Sequence, residues 1–503
     1  MGGETEYAIA ATRGSEQVDQ RALLRALMDF ARCTMPYTFE SPRGRFLRNG
    51  GLLYLDCGLH IEWASPECTS PHDVVRYLKA GDRVVETLAE QYARASPPAD
   101  VFCTRCNVDY LASKAWASHE SYLHRTDPER LPDQFIPFLA SRLVLCGAGG
   151  WDYRSPGLSF TLSPRAGFIT EVIADDTQHV RPLFHTKDER LSDTGSHRLH
   201  VSCSETLCSD LATLLRFGST ALVLAIVDEG ASPGDGMALK SPLRALRRFA
   251  ADPRCRAKVA VAVGRRLTAI DIQRHYLSAV EARLGTPCLP AWAESVCSLW
   301  RRTLDDLEAR PGKLAGALDW AIKQRVYADF LRRHGVEWSS LPALNSALRR
   351  LSRTLASRGR GLHPEDLLSP NSQDAAMVGA WPDRTGDERV TREQLATVLR
   401  VRKPLFEIDM RFGELGDRGI FNALDRAGVL NHGVPGGVGD LDAAIDAPPR
   451  DTRAAVRGHV VQRLTEDGTR YRAEWTRVVD VDHRRVLNLG DPFEAVERWC
   501  EGA

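Results

Sequence analysis

The chain has 503 residues, 43% of them hydrophobic, with 66 Lys+Arg balancing 66 Asp+Glu. A formal net charge of zero gives no general attraction to nucleic acid or to anionic lipid, so neither is an expected partner. The length exceeds one simple core and fits a large domain followed by a small one.

In chain order, the pattern predicts an opening strand carrying Glu4 and Glu6, with no basic and apolar leader ahead of it, which predicts a cytoplasmic protein. A helix follows over Gln17–Cys33, where Leu23, Leu24, Leu27 and Phe30 recur at helical spacing. Two strands span the acidic stretch 46–68, and Ser70-Pro71 opens a helix over Pro71–Ala93. Val101–Tyr110 reads as a strand delivering Asn107 and Asp109, Pro132–Cys146 as an apolar helix, and Phe160–Val172 and Arg198–Cys203 as strands. The longest apolar run, Ala221–Val227, is far short of the roughly 20 residues of a membrane helix and reads as a buried segment. Leu239–Arg333 is mostly helical, and the whole is an α+β chain. Cys103-Thr-Arg-Cys106 has CxxC spacing, but the nearest second pair, Cys203 and Cys208, is spaced differently, so the cysteines read as small buried apolar residues.

The chemistry concentrates in Phe46-Leu-Arg-Asn-Gly-Gly-Leu-Leu-Tyr-Leu-Asp56-Cys-Gly-Leu-His60-Ile-Glu62-Trp-Ala-Ser-Pro-Glu67-Cys68 and in Gly3-Glu4-Thr-Glu6-Tyr7. In an extended backbone, residues i and i+2 share a face, which groups Glu4 with Glu6, Tyr54 with Asp56, and His60 with Glu62. Carboxylates gathered in this way repel one another unless cations neutralise them, and Mg²⁺ takes carboxylate oxygens alongside substrate phosphates. The residues therefore point to a metal-nucleotide site. His60 and His119, as isolated histidines, read as packed or hydrogen-bonded side chains.

The same block, FLRNGxxLYLDxGxHxE followed by an aromatic residue and a Glu-Cys pair, resembles the signature of the Pup ligases. Segments such as His119-Glu-Ser-Tyr-Leu123, Arg198-Leu-His-Val201, Asp319-Trp-Ala-Ile-Lys323 and Pro448-Pro-Arg-Asp-Thr-Arg453 follow in that family's order. The resemblance implies a glutamine synthetase-like fold, a curved antiparallel sheet cradling ATP and Mg²⁺ and packed by helices, with a small C-terminal domain. Residues 1–430 would be the catalytic domain, with an insertion at about 339–404, and 431–503 the small one. It also implies the reaction: ATP phosphorylates the C-terminal glutamate of a small Pup-like protein modifier, and a lysine of a target protein displaces phosphate to form an isopeptide bond.

Carried over residue by residue, Asp56 falls on the family's catalytic aspartate, which takes the lysine proton. Glu4, Tyr54 and Glu62 fall on the metal site, with Glu6 beside them. Ser65 and Trp475 fall on nucleotide-contacting positions. Arg181, Arg198 and His200 are candidates to hold phosphate or the modifier's carboxylate, since arginine suits planar anions. Leu52 stands where the family has a nucleotide-contacting arginine, and the segments 107–116 and 204–210 carry bulkier residues than the family's. A depupylase/deamidase that hydrolyses the isopeptide bond, and a nucleotide-binding scaffold without catalysis, are the alternatives.

Overall fold

The first strand, Gly2–Arg13, organises the molecule because its two halves pair with different neighbours. Residues Glu4–Tyr7 run antiparallel to Ile61–Ala64, and Ala8–Thr12 run antiparallel to Asp100–Thr104. Its beginning also meets Glu120–His124, which continues to His197–Val201. Beyond Ile61–Ala64 come Leu52–Leu55, Gly44–Leu47 and Thr38–Glu40, then the C-terminal strands Tyr471–Ala473, Arg477–Asp480, Arg485–Asn488 and Trp499–Glu501. Among the described residues thirteen strands join in this sheet, and the C-terminal strands attach through one parallel bridge, Arg472 to Glu40. The computed structural model describes all residues except 36–37, 96, 177–178, 190, 357–389, 465–469, 495 and 502–503.

Alternation along the strands sorts the two faces. Tyr7, Ile9, Leu53, Ile61 and Trp63 join the main core with the helices, while Leu52, Tyr54 and Ala64 pack on the opposite side with Phe46, Val460 and Val478 of a second cluster. The helix Pro71–Arg94 covers the first face. Ser70 caps it by accepting the Asp73 N–H, and Pro71 occupies its first turn, where a missing N–H costs nothing. Trp63 is fully buried beneath this helix and donates its indole N–H to Tyr77 O at 3.0 Å. Gly81 lets the helix sit this close, since a Cβ there would lie 2.1 Å from Trp63 Cδ1. Gly81→Ala is therefore expected to destabilise the protein by about 1–3 kcal/mol through overpacking, although alanine alone favours a helix. Urea denaturation reads the sign, and a neutral or stabilising result would show that the helix shifts freely off the sheet.

The apolar run Ala221–Val227 lies in the helix Asp210–Asp228. By length and composition that helix could cross a membrane, but 89% of its apolar window is buried inside the protein. Cys103 and Cys106 are buried, and burial pushes the Cys106 thiol up to about 12.

Several predicted elements are cut differently. The helix over 20–34 starts three residues later than its periodicity suggests, because Asp19 caps it. Val101–Tyr110 is two strands, Asp100–Thr104 and Val108–Asp109. Asn107 brackets the Thr206 backbone, and Asp109 accepts the N–H groups of Leu111 and Ala112 in a turn. Pro132–Cys146 is two helices, Leu131–Ser141 and Leu143–Cys146, parted at Arg142, whose guanidinium is drawn into a buried ion pair with Glu120. Phe160–Val172 is not one strand: Pro164 withholds its N–H, and the Ser163 hydroxyl caps a 3₁₀ turn over Pro164–Gly167. Leu239–Arg333 holds four helices and a two-stranded hairpin.

A separate cluster forms where helices Leu341–Ala356 and Arg392–Phe412 pack with Tyr110, Trp151 and Tyr327. At its polar centre Lys323 Nζ lies 2.7 Å from Asp409 Oδ1 and also donates to Gly149 O, while the hydroxyls of Tyr110 and Tyr327 donate to the same carboxylate. The two helices are the described ends of the stretch 339–404 read as an insertion, whose middle lies outside the described residues.

Candidate active site

Three strands lay out the carboxylates. Glu6 is directly opposite Glu62, and Glu62 is directly opposite Tyr54, so the three form a row across the sheet. Like charges directly opposite one another oppose strand pairing, so this row works against the sheet that carries it. His119 enters next to them, its backbone paired with Glu4. Its Nδ1 is 2.9 Å from Glu4 Oε2 and 3.7 Å from Glu62 Oε1, and its Nε2 is 3.9 Å from Glu6 Oε1. Among the described residues two ligand-like groups result, Glu4-His119-His200 and Glu6-Glu62-His119, each with donor atoms within 4.8 Å of one another.

The electrostatics divide these acids. Burial pushes the Glu4 carboxyl up, but the His119 hydrogen bond and the charges of His119, His200 and Arg198 outweigh it and hold it well below the usual range. Glu62 goes the other way: burial raises it, and the charges of Glu4 and Glu6 add to that. Its Oε1 is buried without a hydrogen-bond partner. Tyr54 is raised by burial and by the charges of Glu4 and Glu62. A hard cation fits such a site, because it would satisfy the orphaned oxygen and reverse the penalty on Glu62.

Beside this cluster lies a cavity of about 540 Å³. Glu4, Tyr54, Ser65, Arg198 and Trp475 line it, together with Phe46 and Leu52. Ser65 Oγ accepts the Gly3 N–H at 3.0 Å and donates to Pro66 O. Arg198 is held by Ser121 Oγ at 2.8 Å, Glu4 Oε1 at 3.3 Å and Glu189 Oε2 at 3.6 Å, and it donates to His200 Nδ1. Burial and this neighbouring cation drive the His200 imidazole well down.

Asp56 and Arg181 do not line the cavity. Asp56 ends the strand Leu52–Leu55 and faces His60 across a tight turn, accepting the His60 N–H at 2.6 Å and lying 3.1 Å from its Nδ1. Burial raises its carboxyl, but the His60 hydrogen bonds outweigh this and bring it below the usual range, while the same pairing lifts His60. The turn includes Leu59 at φ 61°, a left-handed conformation that costs a bulky residue energy. Arg181 is exposed, its N–H on Thr170 Oγ1, just ahead of the strand Pro182–His185.

The sequence reading missed Arg457 and the way it holds Trp475 and Glu67 in place. Trp475 meets Phe46 edge-on at 5.0 Å, and the buried Arg457 guanidinium lies over both rings, 4.8 Å from Phe46 and 4.9 Å from Trp475. Arg457 and Arg453 bind Glu67 at 2.6 and 2.7 Å, which holds the Glu67 carboxyl down at about 2 despite its burial. The only sequence signal was the spacing of Arg453 and Arg457 four apart on one helix face.

The chain is similar to known proteins along nearly its whole length. The family described as Pup-ligase protein matches residues 1–351 and 389–479, and the unmatched residues 352–388 fall inside the stretch 339–404. The Pup–protein ligase of Nocardia farcinica is 30% identical over 99% of this chain and 97% of its own length. That of Actinosynnema mirum is 30% identical over 100% and 98%. Among solved structures, the complex between Prokaryotic Ubiquitin-like Protein Pup and its ligase PafA matches with a TM-score of 0.74 at 22% identity, over 98% of this chain and 89% of that one. The Pup ligase PafA in complex with ADP matches with a TM-score of 0.70 at 23% identity, over 96% and 93%. With a carboxylate row, a paired aspartate and a neighbouring cavity on one α+β sheet, and with matches along nearly its whole length, the chain belongs to the Pup-ligase family.

Proposed function

We propose that the protein is an ATP-dependent ligase acting in the cytoplasm, which joins the C-terminal glutamate of a small Pup-like modifier to lysines of target proteins. The observation that carries this reading is the order of chemistry along one sheet face. An aromatic and apolar cavity comes first, then Glu4 and Tyr54, which belong to both cavity and carboxylate cluster, then Asp56 at the adjoining turn. The Pup–protein ligases among its relatives, and the likeness to PafA bound to Pup and to ADP, support the modifier and the nucleotide.

In this reading Ser65 and Trp475 contact the nucleotide and Arg198 the phosphates, while Arg181, outside the cavity, is a candidate for the modifier's carboxylate. Glu4, Glu6, Tyr54 and Glu62 would hold Mg²⁺: their donors are hard oxygens, and the buried Glu62 Oε1 has no hydrogen-bond partner among the described residues. When bound, the ion neutralises charge on the phosphoryl group in transfer. Residues 431–503 act as a small domain that brings Trp475 over the cavity.

The chemistry then follows in two displacements. A glutamate γ-carboxylate oxygen attacks the γ-phosphorus, the bond to the bridging oxygen breaks, and ADP leaves. The lysine nitrogen next attacks the activated carbonyl carbon, the carbon–oxygen bond to phosphate breaks, and the nitrogen's proton passes to Asp56. Activation is needed because a free carboxylate is a poor electrophile at neutral pH.

Purified protein given ATP, Mg²⁺ and a modifier ending in glutamate should release one ADP for each lysine adduct, the adduct lighter by one water than its two components in intact mass. Chelation with EDTA should stop both products, and added Mg²⁺ should restore them. Modifier release without ADP would move the protein to the hydrolase class, and nucleotide binding without either product would make it a scaffold.

A further inference from the structure

We infer that Arg43 supplies a free positive charge that binds the nucleotide's polyphosphate. The inference rests on the nucleotide reading of the cavity and adds a residue to it.

Among the described residues, three arginines line the cavity, Arg43, Arg198 and Arg453, facing the carboxylates of Glu4, Glu67, Glu189 and Glu474. Among these described side chains the acids outnumber the cations, before a polyphosphate carrying several negative charges enters. Two of the arginines are committed. Arg198 is shared among Ser121, Glu4 and His200, and Arg453 is fixed by Glu67 at 2.7 Å and by Leu489 O at 2.8 Å. Among the described residues, Arg43 alone of the three has no carboxylate or carbonyl partner for its guanidinium; Glu189 feels its charge without forming an ion pair with it.

Its backbone is pre-set for the task. Ser41-Pro42-Arg43-Gly44 is a tight turn closed by Gly44 N–H to Ser41 O at 3.2 Å, and proline at the second position fixes the backbone there. Gly44 packs so closely on the neighbouring strand that a Cβ would sit 2.1 Å from Leu53 O, which ties the turn to the strand bearing Leu52 and Tyr54. Leu52, also lining the cavity, offers hydrocarbon only. An uncommitted guanidinium on a fixed turn suits phosphate oxygens, which it binds through paired N–H groups.

The test measures binding of ADP with Mg²⁺, and of adenosine, by calorimetry to wild type, Arg43→Ala, Arg43→Lys and Arg45→Ala. Arg45 is two residues along and outside the cavity lining, so it controls for the loss of any nearby charge. Arg43→Ala should weaken ADP roughly ten- to a hundred-fold and leave adenosine unchanged. Arg43→Lys should recover part of the loss, and Arg45→Ala should stay within about two-fold. The exposed Arg43 side chain holds nothing else together, so the variant should fold normally. ADP affinity of Arg43→Ala within two-fold of wild type would overturn the inference, as would an equal loss for adenosine or for Arg45→Ala. Wild type binding neither ligand would instead bring down the nucleotide reading, and this inference with it.

Discussion

Asp56→Asn should reduce lysine-adduct formation by about 10²–10⁴-fold while leaving ADP affinity within about two-fold. The amide keeps the shape and still accepts the His60 N–H, so the turn survives, but it takes no proton. Because Asp56 lies outside the cavity lining, nucleotide binding should not register the change. The paired His60 makes a second expectation. With Asp56 held below the usual carboxylate range, the acid limb of the pH–rate profile should lie below that range too. His60→Ala removes the main lowering influence, so the Asp56 carboxyl should rise and the acid limb should move to higher pH. A profile unchanged in His60→Ala, or an Asp56→Asn enzyme retaining a tenth of its activity, would remove Asp56 from the role of base. The pair also stabilises the fold in a pH window. The His60 contribution is present at low pH and is lost as pH rises through its raised value, and that of Asp56 is lost as pH falls through its lowered one.

The largest effect on stability should come from Asp409→Ala. The carboxylate is buried, as is the Lys323 ammonium that depends on it, and burial alone would lower that lysine were the Asp409 charge and hydrogen bond not holding it up. Removing the acid strands a buried cation and two tyrosine hydroxyls, at a cost of about 3–5 kcal/mol. Urea melts of wild type and variant provide the measurement. A loss below about 1 kcal/mol would mean that Lys323 reaches water or another partner.

The sequence reading reached the site where chemistry depends on strand period. Glu4 with Glu6 follows from residues alternating along an extended chain, and the structure assembles them with Glu62 around His119, read beforehand as packed or hydrogen-bonded. What the period does not give is register across strands: that Glu6 faces Glu62 is decided by pairing between segments more than fifty residues apart. The clamp of Glu67, Arg453 and Arg457 was hidden for the same reason, since its partners lie nearly 390 residues apart in sequence. The sequence reading gave Arg43 no role, and only its place in the cavity lining suggests one. Helix ends failed where capping won over periodicity, as at Asp19, and the long strand over 160–172 failed where proline and a serine cap imposed a turn.

The cavity draws on both extremes of the chain, with Gly3 and Glu4 at one end and Trp475 and Phe493 at the other. Contacts of such separation form late, since closing a long loop costs entropy before any contact repays it. During synthesis the carboxylate row can pair its own strands early, while the ring that lies over the cavity is still unmade. Nucleotide binding then reports that translation has passed Trp475, and a polypeptide stopped short of it would carry the acids without the complete pocket beside them.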